Sequence, residues 1–253
     1  MLITDDFVLL NFPKTGSTFA RKVIRKIYKD RCEELLLPVA FDACDTGRVT
    51  QHGTYAQIPM KHRTKMVVSI VRSPFDRYVS QYRFRWYSHS PPGAKEKLCE
   101  IYPSFPEITF EEYLDMTDRF SKRNILAAHN VLSETDIGFQ TVNFVTFYSS
   151  SPDRDMADMV KNYVDPFVKL PKVLFLRQES LRRELGNFLS KLQPDKNVEK
   201  IIASEQDQNV SRTGEERDFK QFWSGLLRNR YSEKERFLLN AFPEYKLGDC
   251  GDA

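Results

Sequence analysis

An apolar run that leads through a tight loop into an amphipathic helix constrains this fold more than any other feature. Residues 7–11 (FVLLN) are apolar, and the loop that follows, residues 11–18, is NFPKTGST. Beyond the loop, apolar side chains recur at helical spacing while basic residues occupy the other face; the apolar set is Phe19, Val23, Ile24 and Ile27. The pattern predicts a buried strand, a loop and a first helix that covers a sheet.

A second apolar run is followed by its own helix. Residues 66–71 (MVVSIV) are apolar on both faces, which is typical of a central parallel strand. Ser73 is a predicted N-cap and Pro74 a first-turn proline, so a helix is expected to run to about Tyr82.

Further strands are predicted at residues 143–147 (NFVTF) and 172–177 (KVLFLR). The second precedes a predicted helix with Leu181, Leu185, Phe188, Leu189 and Leu192 on one face. Another helix is expected near the C-terminus from Phe219, Phe222, Trp223, Leu226 and Leu227, and Ser232 with Glu235 predicts a capping box for the last helix.

Strands and helices alternate without a linker or a repeat. This pattern favours an α/β class: a single three-layer domain over 1–253 with a central, mostly parallel sheet and a P-loop-like first loop. Residues 87–106 are proline-rich and are predicted to form an irregular lid or insertion.

Composition excludes several classes of protein. A net charge of +3 over 253 residues is too small for a nucleic-acid-binding surface, and the four scattered cysteines form no CxxC motif. No apolar stretch approaches the about 20 residues that span a bilayer. We expect no nucleic-acid or membrane partner and a cytoplasmic location, with a luminal domain of a membrane-anchored enzyme as the open alternative.

The first loop has the chemistry of an anion site. Strand, tight loop and helix together aim backbone N–H groups and a helix N-terminus at an anion. Gly16 allows close approach of the backbone, Ser17 and Thr18 add hydroxyl donors, and Lys14 adds a point charge. The alternative at this point is an ordinary strand-to-helix turn with an exposed lysine.

A second phosphate site is predicted after the central strand. Arg72 ends the strand, and Ser80 lies two turns into the following helix. Ligands bind at the carboxyl ends of strands in α/β sheets, so Arg72 and Ser80 are expected to converge on one phosphate. Two phosphate sites indicate a ligand that is phosphorylated at both ends.

These two motifs resemble those of a known family. FPKTGST is similar to the 5′-phosphosulfate loop, and VRSPFDRYVSQY to the 3′-phosphate motif, of sulfotransferases that use 3′-phosphoadenosine 5′-phosphosulfate (PAPS). TQHGTYAQIP before the central strand, and ITFEEYLD after the proline-rich segment, resemble the carbohydrate sulfotransferases of the uronosyl 2-O type. Residues 209–223 are similar to the late loop that closes over the cofactor, although the second glycine of that loop is missing.

The resemblance implies in-line transfer of a sulfuryl group to a hydroxyl, leaving adenosine 3′,5′-bisphosphate (PAP), without a metal. It implies that Lys14 neutralises the leaving group. The remaining implied donor-binding residues are Thr15, Gly16, Ser17 and Thr18 at the 5′-phosphate, and Arg72, Ser80, Arg212 and Gly214 at the 3′-phosphate.

An alcohol acceptor needs a general base, and histidine is the usual one. His52 stands where the resembling carbohydrate enzymes carry a His-Gly-His element, with Thr54 in place of the second histidine. His52 is the predicted base, and His89 is the second candidate. An aspartate or a glutamate in this role, and a purely structural role for His52, stay open.

The acceptor is expected to be a hydroxyl of a carbohydrate or small molecule, and the sequence does not indicate an oligomeric state. Two other functions stay open. A P-loop kinase or NTPase would need the GxxxxGK order and a metal-binding aspartate after an apolar strand, where this chain has Arg72. A non-catalytic module that binds the bisphosphate nucleotide or a glycan is the other alternative.

Overall fold

The computed structural model describes residues 1–42, 47–206 and 220–246. Its strands, in chain order, are β1 (Leu2–Thr4), β2 (Phe7–Leu10), β3 (Cys32–Glu34), β4 (Leu37–Pro38), β5 (Val49–Thr50), β6 (Met66–Val71) and β7 (Leu174–Arg177).

The first six helices are α1 (Ser17–Tyr28), α2 (Pro74–Phe84), α3 (Trp86–His89), α4 (Lys95–Ile101), α5 (Phe110–Met116) and α6 (Lys122–Ala128). The next six are α7 (Phe139–Tyr148), α8 (Pro152–Asn162), α9 (Leu181–Leu192), α10 (Val198–Ser204), α11 (Gly225–Lys234) and α12 (Arg236–Ala241).

The main sheet has five strands in the order β3-β1-β2-β6-β7. Strand β6 pairs in parallel with both β2 and β7, whereas β1 pairs antiparallel with β2 and β3. The centre of the sheet is therefore parallel, and an antiparallel hairpin extends one side. β4 and β5 form a separate antiparallel pair. The predicted α/β class with a parallel central sheet is confirmed.

The described residues form two compact units. Unit 1 comprises Met1–Pro38, Arg48–Arg72 and the described part of Lys172–Arg217; unit 2 comprises the rest. In unit 1, α1, α9 and α10 pack on one face of the sheet, where apolar residues of the strands and of these helices form one core. Strand residues that point to the opposite face, such as Val8, Leu10 and Val67, are also buried. That one domain spans 1–253 stays a prediction.

Unit 2 is mainly helical and has its own aromatic-rich core. Phe75, Tyr78, Tyr113 and Trp223 belong to it, together with apolar residues of α5 to α8. The high aromatic content of the sequence is largely used here, in edge-to-face contacts such as that of Phe75 with Trp223.

The predicted strand at 143–147 is wrong. These residues lie within α7, and all ten residues of that helix are buried. A segment that is buried on every side has no amphipathic period, so its apolar and β-branched residues do not distinguish a strand from a buried helix.

The C-terminal predictions also need correction. A short 3-10 turn, Lys220–Phe222, and a separate helix α11 replace the single predicted helix, and Phe219 lies outside the described residues. The predicted capping box is wrong: Ser232 Oγ donates to the Arg228 carbonyl within α11, and the Glu235 carboxylate binds groups on α2 and α7.

The segment 87–106 is partly helical rather than irregular. It contains α4, and Tyr87, Leu98, Tyr102 and Phe105 are buried in the core of unit 2. Its role as a lid or an insertion stays a prediction. Within the described residues, no helix is both long and apolar enough to cross a membrane.

Candidate active site

The loop between β2 and α1 turns on two residues with left-handed backbone conformations. Lys14 has φ 68° and Gly16 has φ 89°. The first is unusual because a side chain at positive φ is strained, and such strain persists where the surrounding structure requires it. The loop thus holds the Lys14 backbone in a conformation that a residue with a side chain does not prefer.

Gly16 is required for two independent reasons. Its φ suits glycine, and a Cβ atom there would lie 3.1 Å from Leu181 Cδ2 and 3.5 Å from Gln178 Cγ. The loop therefore packs closely against the start of α9, within unit 1.

The beginning of α1 presents donors for an anion. The first N–H groups of a helix have no intrahelical acceptor, and here those of Phe19 and Ala20 already bond to the Gly16 carbonyl. The N–H groups of Ser17 and Thr18 precede them at the positive end of the helix dipole. Thr15 is buried and its hydroxyl donates to the Phe12 carbonyl at 2.8 Å, so its side chain holds the loop together.

Arg72 lies against this loop. It directly follows β6, and its Nη1 donates to the Lys14 carbonyl oxygen at 3.2 Å. Burial, together with the neighbouring Arg72 guanidinium, lowers the pKa of the Lys14 ammonium to about 8. Two cations are therefore held close together, so an anion bound here would be attracted by both charges.

His52 is attached to the other end of the same loop. Its Nδ1 lies 2.5 Å from the carbonyl oxygen of Asn11, the first residue after β2. A carbonyl oxygen only accepts hydrogen bonds, so we assign the proton to Nδ1. In the neutral imidazole, Nε2 then carries the lone pair, which is the state that a general base requires.

The residues after His52 fix its backbone. A Cβ atom on Gly53 would lie 2.6 Å from Leu37 Cδ1 and 2.8 Å from Met1 Cε, so a larger residue would require these two side chains to move. Thr54 is buried and its N–H donates to Gln57 Oε1 at 2.9 Å, at the start of the turn Tyr55–Gln57. The threonine that replaces the second histidine of the resembling motif thus caps a turn.

The remaining predicted residues lie elsewhere. Ser80 is half-buried on α2 in unit 2, and its convergence with Arg72 on one phosphate stays a prediction. Arg212 and Gly214 lie outside the described residues. His89 is exposed on α3 in unit 2, where its Nδ1 lies 3.0 Å from Ser88 Oγ. The described parts of the chain contain no group of three His, Cys, Asp or Glu side chains that could hold a metal ion.

Sequence reasoning missed two residues of the site. Asn11 is fully buried, and its Nδ2 donates to the Gln51 carbonyl at 3.1 Å, so one asparagine joins the loop to the segment that carries His52. Gln51 lies beside His52 and also contacts Arg21 of α1. The only signal in the sequence was their position: Asn11 is the first residue of the loop, and Gln51 directly precedes His52.

Comparison with solved structures gives a weak likeness, and comparison with families and curated proteins gives no match. The chain is similar to a crystal structure of mouse sulfotransferase SULT7A1 complexed with PAP, with a TM-score of 0.48 and 16% sequence identity. The match covers 96% of this chain and 90% of that one. A likeness at this level carries no argument about activity. The function of the candidate site is therefore inferred only from the residues of this chain that form it.

Proposed function

We propose that this protein is a sulfotransferase that moves a sulfuryl group from PAPS to a hydroxyl of a carbohydrate or small-molecule acceptor. One observation carries the proposal: the cationic pair and the candidate base are fastened to the same loop. Arg72 binds the loop at the Lys14 carbonyl, and His52 binds it at the Asn11 carbonyl. Anion binding and proton removal are thereby coupled to one short segment.

The residues present fit the phosphosulfate end of the donor. Lys14 and Arg72 supply two positive charges, and the start of α1 supplies N–H donors from Ser17 and Thr18. An anion placed there would stabilise the charged ammonium against the burial and the Arg72 charge that lower the Lys14 pKa. Arg72, Ser80, Arg212 and Gly214 are proposed for the 3′-phosphate on the sequence motifs alone, and the contact of Arg72 with the Lys14 carbonyl is the reason to propose that its charge also acts at the phosphosulfate end.

The chemistry asks three things of the protein. His52 Nε2 takes the proton of the acceptor hydroxyl as its oxygen bonds to sulfur. Lys14 neutralises the charge that develops on the 5′-phosphate oxygen as its bond to sulfur breaks. Arg72 holds the loop so that Lys14 keeps its position. The displacement is in-line, as in phosphoryl transfer, so alignment and charge stabilisation account for most of the catalysis.

A carbohydrate acceptor of the uronosyl 2-O type is the finer part of the proposal. It is supported by the sequence around His52 and by the segments before and after the central strand. A transfer screen with radiolabelled PAPS over polysaccharides and small hydroxylated metabolites tests it, and exclusive labelling of small molecules would contradict the carbohydrate acceptor.

Calorimetric titration separates the proposed function from its alternatives. PAP should bind in the absence of metal, and ATP with magnesium should bind far more weakly. Tight binding of ATP with magnesium and none of PAP would overturn the proposal in favour of a kinase or NTPase. PAP binding without transfer to any acceptor class would favour a non-catalytic module.

A further inference from the structure

Gln51 lies between a cation and the candidate base. Its Oε1 accepts a hydrogen bond from Arg21 Nη1, and its Nε2 lies 3.5 Å from His52 Nε2. Arg21 is on α1 and also pairs with Glu34 of β3. A continuous line of contacts therefore runs from Glu34 through Arg21 and Gln51 to the imidazole, all within unit 1.

The donors and acceptors along this line fit together in only one order. A guanidinium only donates, so Gln51 must turn its oxygen toward Arg21 and its amide N–H₂ toward His52. The Asn11 carbonyl only accepts, so His52 must carry its proton on Nδ1 and its lone pair on Nε2. The Gln51 amide N–H₂ thus faces the lone pair of Nε2, and the two assignments agree although they were made from opposite ends.

The backbone of Gln51 is held as firmly as its side chain. Its carbonyl oxygen accepts from Asn11 Nδ2 at 3.1 Å and from the nitrogen of Met1 at 2.5 Å. The position of the Gln51 side-chain amide is therefore set by contacts of this residue with Asn11, with Arg21 on α1 and with Met1.

We propose that Gln51 is a positioning residue for His52, and that Arg21 orients Gln51, so that the imidazole is held neutral with Nε2 as the proton acceptor. Gln51 acts in two ways. Its amide hydrogen atoms disfavour a proton on Nε2, because two donors would then face each other. The Arg21 charge, transmitted through the polarised amide, acts in the same direction. At 3.5 Å the amide contact is long, so an acceptor hydroxyl can replace it.

Charged groups of the described residues contact this line from three segments. Arg21 does so from α1, Glu34 from β3, and the nitrogen of Met1 from the residue before β1. Glu34 also pairs with Arg25, which is one turn from Arg21 on α1 and is 48% exposed. Arg25 makes no hydrogen bond to Gln51 among the contacts of the described residues, so it is a matched control for the charge of Arg21.

The test is ¹⁵N-edited NMR titration of the histidine rings in the full chain. Only four histidines are present, and a His52→Gln variant assigns the signal. The neutral His52 ring should be protonated on Nδ1. In Gln51→Glu the carboxylate still accepts from Arg21 but presents an oxygen to Nε2, so the titration midpoint of His52 should rise by about 1 pH unit or more. Arg21→Gln should also raise it, by less, and should mix the two tautomers.

Three results would overturn the proposal: a wild-type ring protonated on Nε2, an unchanged midpoint in Gln51→Glu, or an Arg25→Gln control that shifts His52 as much as Arg21→Gln does. Unchanged ¹H–¹⁵N spectra elsewhere in the protein show that each variant is folded. If Gln51→Glu does not fold, Arg21→Gln still tests the proposal.

The role of His52 as a base rests on the proposed function, but this readout does not. If PAP fails to bind, the sulfotransferase proposal fails while the tautomer and the midpoint shifts still decide the Gln51 proposal. If transfer activity is found, the acid limb of kcat/KM should move to higher pH in Gln51→Glu together with the NMR midpoint.

Discussion

Two groups of charges in this molecule, one buried and one half-buried, are organised in opposite ways. In unit 2 the Glu235 carboxylate accepts from the Tyr78 hydroxyl at 2.7 Å, the Thr141 hydroxyl at 2.7 Å, and the N–H groups of Gln140 and Thr141. It thereby caps the N-terminal turn of α7 from a distant part of the chain. In unit 1, by contrast, the Lys14 ammonium is held close to a second cation, Arg72, and burial together with that charge lowers its pKa.

The difference separates a charge that is fully satisfied by the fold from a pair for which we propose a function. The oxygens of Glu235 are saturated with donors, which is how a fold accommodates a buried carboxylate. The pair of Lys14 and Arg72 instead brings two like charges close together, at a loop with positive φ and at a helix N-terminus. Groups whose pKa is shifted by burial and by a neighbouring charge are frequent at functional sites.

The largest expected effect on stability comes from removing the Glu235 carboxylate. Glu235→Ala leaves four donors unpaired inside unit 2, so it should lower the free energy of unfolding by about 3–5 kcal/mol. Urea denaturation followed by circular dichroism measures this. The control is Glu233→Ala, at an exposed position on α11 two residues before Glu235. It should change the free energy of unfolding by about 0.5 kcal/mol or less. Equal effects for the two variants would show that the network around Glu235 is not structural.

Substitution of Lys14 should affect turnover far more than folding. Lys14→Ala should lower kcat by about 100-fold to 1,000-fold, because charge on the leaving oxygen is no longer neutralised. Lys14→Gly should lose turnover equally but fold at least as stably as the wild type, since φ 68° suits glycine.

Rates of sulfuryl transfer and denaturant midpoints measured on both variants separate the two roles of this residue. A Lys14→Gly protein with near-normal turnover would show that the loop matters and its ammonium does not.

Arg72→Ala should weaken PAP binding by about 10-fold to 100-fold, because it removes one charge-assisted contact with the ligand and the hydrogen bond that supports the loop. Calorimetry measures it, with Arg31→Ala as a control because Arg31 is an exposed cation of the same unit. If both variants bind PAP as the wild type does, Arg72 is not part of the phosphate site.

Much of the site was predictable because its signals are local. The strand, loop and helix around Lys14 follow one another in sequence, as do β6, Arg72 and α2, and each is marked by apolar runs and by glycine or proline. The contacts of His52 with Asn11 and of Gln51 with Arg21 join residues far apart in sequence, so no local pattern reveals them. The same holds for Glu235, whose apparent capping box was replaced by contacts with α2 and α7.

The prediction of a strand at residues 143–147, which lie in α7, was wrong for a different reason. This helix is buried on all sides, so the amphipathic signal that identified α1 and α9 is absent from its sequence. Burial inside unit 2, which a single sequence does not display, decided its secondary structure.

The most direct test of the central claim, that the Lys14 and Arg72 pair receives a phosphate group, is calorimetric titration with PAP at pH 7 and pH 9. The free protein has a Lys14 pKa of about 8, and an anion would raise it, so binding near pH 8 should take up a proton. Affinity should then fall by about tenfold from pH 7 to pH 9, where phosphate itself, with a second pKa of about 6, scarcely titrates. Lys14→Ala should abolish this dependence. Equal affinity for PAP at the two pH values, or no binding at either, would contradict the account.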